Sequence, residues 1–295
     1  MKNLYFKLLG ITCFIFLGIN HSAHAQIGIG TTAPEGALHL NTDSEGFVIP
    51  AVALTARNLS GPVLNPNGAP LVEGTVVYNT SKTKLANNNV FPGIYAWSGT
   101  QWNPQFKMED YKQFLQTGGC QRTTIKQQYS TPSPNNADNV SGLTNRIFTP
   151  KYSGMYKVEV KTNFAAGKVR NFAGSEDNIS LATMEGAFFF RISGSGVNIN
   201  PSSGTFDYKK GWMYTHSYGA LNTMETPSIE SHTVPHFEGV VHYLHLLAGE
   251  NYTFSLTNCT ITGDQFFVNN GDTGDGQGHI GHDQPCSVEF TFIGD

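Results

Sequence analysis

Short apolar runs, broken by glycine and proline, dominate the segment from residue 26 to about residue 105. Each run is shorter than the length at which an isolated helix becomes stable, so each predicts a short β-strand. The predicted strand segments are 27–30, 37–40, 46–50 and 74–78. We therefore expect an N-terminal module of short strands at 26–105.

A tight β-hairpin is predicted at residues 94–102. Ser98 and Gly99 stand between two arms that carry aromatic residues, and such a pair of turn residues between β-type segments is a strong hairpin signal. Because strand side chains alternate between faces, Tyr95 and Trp97 are expected to share one face.

Longer alternating patterns begin after Cys120. Tyr156, Val158 and Val160 alternate with charged residues, which predicts a strand with one buried and one solvated face. Residues 252–256 and 288–293 repeat the pattern. Strands that recur without intervening helices predict a β-sandwich or jelly roll at 120–295, so the expected fold class is all-β.

The segment 240–247 is apolar on both faces except at His242 and His245. These two histidines are three positions apart, so on a strand they point to opposite faces and cannot share a metal ion directly. We expect one of them to pack and the other to be exposed.

Residues 106–119 have a different composition, in which charged residues surround aromatic and aliphatic ones. This pattern predicts the best short helix of the chain, ended by Gly118-Gly119 as a C-cap. We interpret it as a helical connector between the two modules.

The first 25 residues have the organisation of a secretory signal peptide. Lys2 and Lys7 lie before an apolar run, and Ala23-His24-Ala25 is a small-x-small cleavage site. The apolar run is shorter than the roughly 20 residues that span a membrane, and no other stretch is long enough to do so. We expect an exported chain, secreted or at a bacterial cell surface.

Loss of the two leader lysines moves the formal net charge from −4 to −6. A nucleic-acid binder needs a basic stripe to neutralise phosphates, and no cluster of basic residues exceeds Lys209-Lys210. The sequence has no Gly-x-Ser-x-Gly elbow, His-Glu-x-x-His helix or phosphate-binding loop, which removes the commonest hydrolases and nucleotidases. We therefore expect neither a nucleic-acid binder nor an enzyme, and no cofactor.

Three cysteines remain after cleavage, namely Cys120, Cys259 and Cys286. Cys259 ends one predicted strand and Cys286 begins the last, so a disulfide between them would close the long loop from its base. The alternative is that both are reduced, buried thiols. With the bridge, Cys120 would be unpaired or would form an intersubunit link.

The loop at 269–284 is rich in glycine, asparagine and aspartate. Asp272, Asp275 and Asp283 are candidate ligands for Ca²⁺, because hard cations prefer oxygen ligands. The alternative is a solvated loop, in which glycine serves the turns and aspartate the solubility.

Three aromatic residues, Trp212, Tyr214 and Tyr218, lie in the long segment 193–232. Exposed aromatic rings are suited to stacking on sugar rings, so these residues are candidates for a carbohydrate site. Packing inside the segment is the alternative use.

Five motifs in order resemble the N-terminal repeat of exported Bacteroidetes-type surface proteins. They are Ile27-Gly-Ile-Gly-Thr-Thr-x-Pro34, Leu38-His-Leu40, Gly46-Phe-Val-Ile-Pro50, Gly74-x-Val-Val-Tyr-Asn-Thr80 and Trp97-Ser-Gly-Thr-Gln-Trp102. The resemblance implies presentation or attachment, similar to that of tail-fibre or adhesin stalks. It brings no catalytic residues.

Three motifs of the second module are similar to the globular head of the complement first component, a jelly roll similar to tumour necrosis factor. They are Phe148-Thr-Pro-x-x-Ser-Gly154-Met-Tyr156, Leu247-Ala-Gly-Glu250 with the strand after it, and Val288-Glu-Phe-Thr-Phe-Ile-Gly294. The resemblance implies trimers whose apolar strand faces meet on a three-fold axis. It also implies binding through loops and no chemistry.

The sequence thus predicts a homotrimer that presents jelly-roll loops to a protein or glycan partner. The alternative is a carbohydrate-binding module that uses the aromatic residues of segment 193–232. The run Phe188-Phe189-Phe190 favours the trimer, because three consecutive strand residues cannot all face one core. At least one of them is expected at a subunit interface or under an insertion.

Overall fold

The computed structural model describes residues 26–128, 133–167, 178–200, 212–221, 229–262 and 278–294. The chain divides into two compact units, residues 1–49 and residues 50–295. The regular structure of the described residues consists of β-strands and one 3₁₀ turn at Ala86–Asn88. The predicted all-β fold class is confirmed.

The strands fall into a group of short ones before Tyr111 and a group with much longer members after it. In chain order they are β1 (Ile27–Ile29), β2 (Leu38–Leu40), β3 (Ala51–Val52), β4 (Val76–Asn79), β5 (Gly93–Trp97), β6 (Trp102–Pro104), β7 (Tyr111–Leu115), β8 (Gln121–Arg122), β9 (Lys126–Gln128), β10 (Asp138–Asn139), β11 (Arg146–Phe148), β12 (Gly154–Ala165), β13 (Asn178–Gly194), β14 (Val197–Ile199), β15 (Trp212–Leu221), β16 (Ile229–Leu246), β17 (Tyr252–Thr262), β18 (His279–Ile280) and β19 (Ser287–Gly294).

In the first unit, β1 and β2 form a parallel two-stranded ladder. The backbone N–H of Ile27 donates to the carbonyl of Ala37, and that of Asn41 donates to Ile29, each at 2.9 Å. The strand predicted at 46–50 is wrong, because these residues form no ladder pairs. Pro50 has no N–H to donate, and the regular strand starts one residue later, at β3.

A small sheet in the order β3-β4-β5-β6 opens the second unit. The predicted hairpin is confirmed, since β5 and β6 pair antiparallel and Gly99 has a φ of 90°, which favours glycine. Tyr95 and Trp97 do share a buried face, in a core that they form with Trp102. The Trp102 indole N–H donates to the carbonyl of Leu59 at 2.9 Å, so the largest side chain of this core is also hydrogen-bonded.

The remaining strands of the second unit build a β-sandwich. One layer has the order β7-β19-β12-β16, and the other has β11-β17-β13-β15. Three short strands extend the second layer: β9 and β10 pair with β17, and β14 pairs with β13. The predicted alternation in β12 is confirmed, with Tyr156, Val158 and Val160 buried between the layers.

Aromatic rings from both layers meet in this core. Phe290 of β19 stacks on Phe148 of β11 at 4.1 Å between ring centroids, and it lies 5.5 Å from Phe254 of β17. Phe114 of β7 lies edge-on to Phe254 at 4.9 Å. The small sheet packs on the sandwich through Phe91 and Tyr152, whose ring centroids are 4.9 Å apart.

Strand β16 belongs to both layers. Its residues 229–234 pair with β15 of the second layer, whereas its residues 235–246 pair with β12 of the first. The two layers are therefore joined by one continuous strand.

The helical connector predicted at 106–119 is not present. Residues Tyr111–Leu115 form β7, the edge strand that pairs with β19. Burial of Phe114 in the sandwich core and ladder pairing with β19 outweigh the local helical pattern. Gly118 and Gly119 have φ values of 81° and 74°, so they form a turn after a strand.

The three consecutive phenylalanines divide between two cores. Phe188 and Phe190 lie in the core between the layers, while Phe189 packs on the other side of β13. Ile125 and Ala137 cover Phe189 there, so it is buried within one chain. The sequence predicted that at least one of the three phenylalanines lies at a subunit interface or under an insertion. Phe189 lies under another segment of its own chain.

Candidate functional site

The ladder of the first unit exposes apolar side chains. Ile27, Ile29 and Leu38 are each more than half exposed, and Leu40 is 40% exposed. A two-stranded ladder with its apolar side chains in solvent is at best marginally stable by itself. Contact with another chain would bury these side chains.

The outer face of the first layer carries a second group of exposed apolar residues. Tyr111 lies on β7, and Phe237, Val241 and Tyr243 lie on β16, all between 45% and 60% exposed. Strand register places them across the sheet, with Tyr111 opposite Thr291, Thr291 opposite Lys157 and Lys157 opposite Tyr243. We call this surface the first-layer face.

Charged residues on the first-layer face are paired. Lys161 Nζ lies 2.9 Å from Glu289 Oε1, and Lys157 Nζ lies 3.0 Å from Glu159 Oε1. Burial raises the pKa of Glu289, but hydrogen bonds from Lys161, Gln113 and Ser287 outweigh it, so the pKa lies below the ordinary glutamate value. The carboxylate is thus held ionised and compensated within its own chain.

Next to this pair, the first-layer face has a cavity of about 540 Å³. Its wall is apolar at Leu115, Phe237 and Pro285, and it is polar at Gln113, Asn163 and Glu238. The residues of this face were not singled out from the sequence. The sequence feature that could have indicated this face is the segment 240–247, because it is apolar on both faces and a single core needs only one apolar face.

The three cysteines are free thiols, so the predicted bridge between Cys259 and Cys286 is not formed. Cys286 lies in the core between the layers, whereas Cys259 packs with Ala187 and Phe189 on the opposite side of the second layer. Burial raises the pKa of Cys259 to about 12 and that of Cys286 to about 11. Cys120 is exposed.

Two of the three predicted metal ligands, Asp272 and Asp275, lie outside the described residues. Asp283 is exposed, with its Oδ1 3.0 Å from His282 Nδ1. Among the described residues, no group of three or more His, Cys, Asp or Glu side chains is arranged to hold a metal ion. The Ca²⁺ site therefore stays a prediction.

His242 and His245 differ in environment, as predicted from their spacing. His242 stacks on Phe190 with 5.7 Å between ring centroids, and His245 is exposed.

The candidate sugar-stacking residues all lie in β15. Tyr214 is 55% exposed, whereas the side chains of Trp212 and Tyr218 are outside the described part of the chain. Tyr214 is the cross-strand partner of Glu185, a buried carboxylate. Burial raises the pKa of Glu185, and the Tyr214 hydroxyl opposes this shift. The carbohydrate site stays a prediction.

Comparison with known proteins gives one family match. Residues 28–118 match the model of the phage tail like trimerisation region. This segment includes most of the β1–β2 ladder, the small sheet and β7. No curated protein matches the chain significantly. None of the helical segments described is long and apolar enough to cross a membrane.

Proposed function

We propose that this protein is an exported, homotrimeric assembly protein of the bacterial surface or extracellular space, which acts by presenting a β-sandwich to a partner and not by catalysis. The observation that carries the proposal is that the apolar β1–β2 ladder is exposed within a segment similar to a trimerisation region. A second copy of the chain is the partner that this similarity favours.

The sandwich supports the same assembly. The resemblance of its sequence to trimeric jelly-roll heads implies apolar strand faces that meet on a three-fold axis. The first-layer face has the properties of such a contact, since Tyr111, Val241 and Tyr243 are exposed and the charged residues between them are already paired. Aromatic residues without unpaired charges are typical of the centre of an interface.

The test is the particle mass in solution, measured by light scattering at micromolar concentration. We expect three chains per particle. Ile29→Asp in the ladder should shift the mass toward that of one chain, because an unpaired carboxylate is costly in an apolar contact. The matched control is Ile147→Asp, since Ile147 is similarly exposed, at 54%, but lies on β11 of the second layer.

A monomer at all concentrations would refute the proposal. An Ile147→Asp variant that dissociates as readily as Ile29→Asp would show that the ladder has no special role.

A further inference from the structure

The outer face of the second layer has a cleft of about 260 Å³. Strand register builds it from outward-facing residues in adjacent strands, with Arg191 opposite Ser255 and Ser193 opposite both Thr253 and Asn198. Phe190 and Ile192 alternate with these residues and are buried in the core, so the direction of the cleft residues is fixed by the core packing. We call this site the second-layer cleft.

One wall of the cleft is held in place by hydrogen bonds. The backbone N–H of Asn145 donates to Ser255 Oγ at 2.9 Å, and this hydroxyl lies 3.2 Å from Asn145 Oδ1. Asn145 has a φ of 51°, a conformation that asparagine adopts more readily than most residues. Asn145 therefore occupies a fixed position at the rim.

Arg191 is the single charged residue of the cleft lining. Its Nη1 donates to Asn135 Oδ1 at 3.3 Å, which orients the guanidinium. Its Nε is buried and has no hydrogen-bond partner among the described residues. An arginine held in this way, with no carboxylate in the lining, favours an anion, and the planar guanidinium matches a carboxylate group.

The rest of the lining is mostly amide and hydroxyl groups. Asn198 and Asn200 are exposed, and Ser193 and Thr253 stand beside them. Amides and hydroxyls both donate and accept, as do the hydroxyl groups of a sugar. The cavity is somewhat smaller than the roughly 300 Å³ at which pockets for drug-sized ligands begin, so it suits one ring and not a long chain.

We propose that the second-layer cleft binds an acidic sugar, with Arg191 on the carboxylate and the side chains of Asn198, Ser193 and Thr253 on the ring hydroxyls. This site is separate from the first-layer face and from the aromatic residues of β15. It lies on the layer that does not carry the proposed subunit contact, so it stays accessible in a trimer.

The test is titration of the purified protein with glucuronic acid, followed by NMR of the sugar and by calorimetry. We expect saturable binding, weakened about tenfold or more by Arg191→Gln through loss of the charge-assisted pair. The matched control is Arg146→Gln, which removes the same charge from the neighbouring β11 outside the cleft. Asn198→Ala should also weaken binding, and the melting temperature of each variant reports whether it folds.

Glucose, sodium sulfate and Trp212→Ala complete the experiment. Equal binding of glucose would overturn the assignment of an acidic ligand, and full competition by sulfate without preference for the sugar would reduce the site to a simple anion site. Loss of binding in Trp212→Ala with retention in Arg191→Gln would place the sugar elsewhere and overturn the proposal. Absence of saturable binding would overturn it as well. Light scattering on the same samples separates these outcomes from failure of the trimer.

Discussion

The two layers of the sandwich share one core but differ in their outer faces. Facing inward, both contribute aromatic and aliphatic residues, such as Phe290 from the first layer and Phe254 from the second. Facing outward, the first layer exposes Tyr111 and Tyr243 between paired charges, whereas the second, beside the exposed Ile147 and Tyr214, has a cleft of amides, hydroxyls and Arg191. Side chains alternate between the two faces of a strand, so the residues that pack the core differ from those that face outward. The inward residues therefore determine the fold, and the outward residues determine what each face contacts.

Loss of the shared core should remove both faces together, and it is the largest effect that we expect. Phe290→Ala deletes a fully buried ring that contacts both layers, at a cost of about 3–5 kcal/mol in the free energy of unfolding. Chemical denaturation measures it. The exposed Ile147→Ala is the control and should change the unfolding free energy by about 0.5 kcal/mol or less. A cost for Phe290→Ala as small as that of the control would show that the layers do not share this core.

Thiol labelling distinguishes the covered thiol on the outward side of the second layer from the exposed thiol of Cys120, which precedes β8. Cys259 lies on its outward side beneath Ile125 and Ala137, and its pKa of about 12 leaves about one thiolate in 10⁴ at pH 8. Iodoacetamide should label the exposed Cys120 in the native protein, and it should label Cys259 and Cys286 only after denaturation. Mass spectrometry reads the sites. A disulfide between Cys259 and Cys286 in the unreduced protein would contradict the structure.

The same substitution on the two faces should have different effects on assembly. Val241→Lys introduces an unpaired charge into the first-layer face and should weaken subunit association by about tenfold or more, whereas Thr253→Lys on the second layer should not change it. Sedimentation over a concentration series measures both. If both variants weakened subunit association equally, the proposed difference between the two faces would be refuted.

The smallest effect concerns the buried Glu185, within the second layer. Its pKa is raised, so its contribution to stability is full below the unfolded-state pKa and is lost as the pH rises through the folded-state pKa. The wild-type protein should therefore gain stability on acidification from neutral pH toward the ordinary glutamate pKa. Glu185→Gln should be slightly more stable at pH 7 and should lack this gain. Melting curves between pH 4 and 8 test this, and identical pH profiles would refute it.

Local patterns were sufficient for much of the fold. Alternation in β12 and the Ser98-Gly99 turn depend on neighbouring residues, and both were predicted from the sequence. β7 was not, because the partners that make it a strand, β19 and Phe254, lie far away in the sequence. Its local composition favoured a helix, and long-range pairing decided otherwise.

The disulfide predicted between Cys259 and Cys286 is wrong, and the alternation of side chains along the strands already argued against it. Phe254 and Leu256 face inward, so Cys259 at the opposite parity faces outward. Cys286 has the parity of the inward Val288 and faces the core. The second-layer cleft had no comparable signal, since the hairpin that carries Arg191 and Asn198 meets Asn145 only through the distant strand β17.

The continuity of β16 has a consequence for hydrogen exchange. Its residues 229–234 and 235–246 are bonded in different layers, so the layers cannot separate while this one strand keeps its backbone partners. Opening of the sandwich must then break the pairing of β16 with at least one layer, in addition to the core between the layers, and such an opening is close to unfolding of the whole unit. Those amide protons of residues 236–246 that are hydrogen-bonded to β12 should consequently exchange with solvent as slowly as the amide protons of β12 itself.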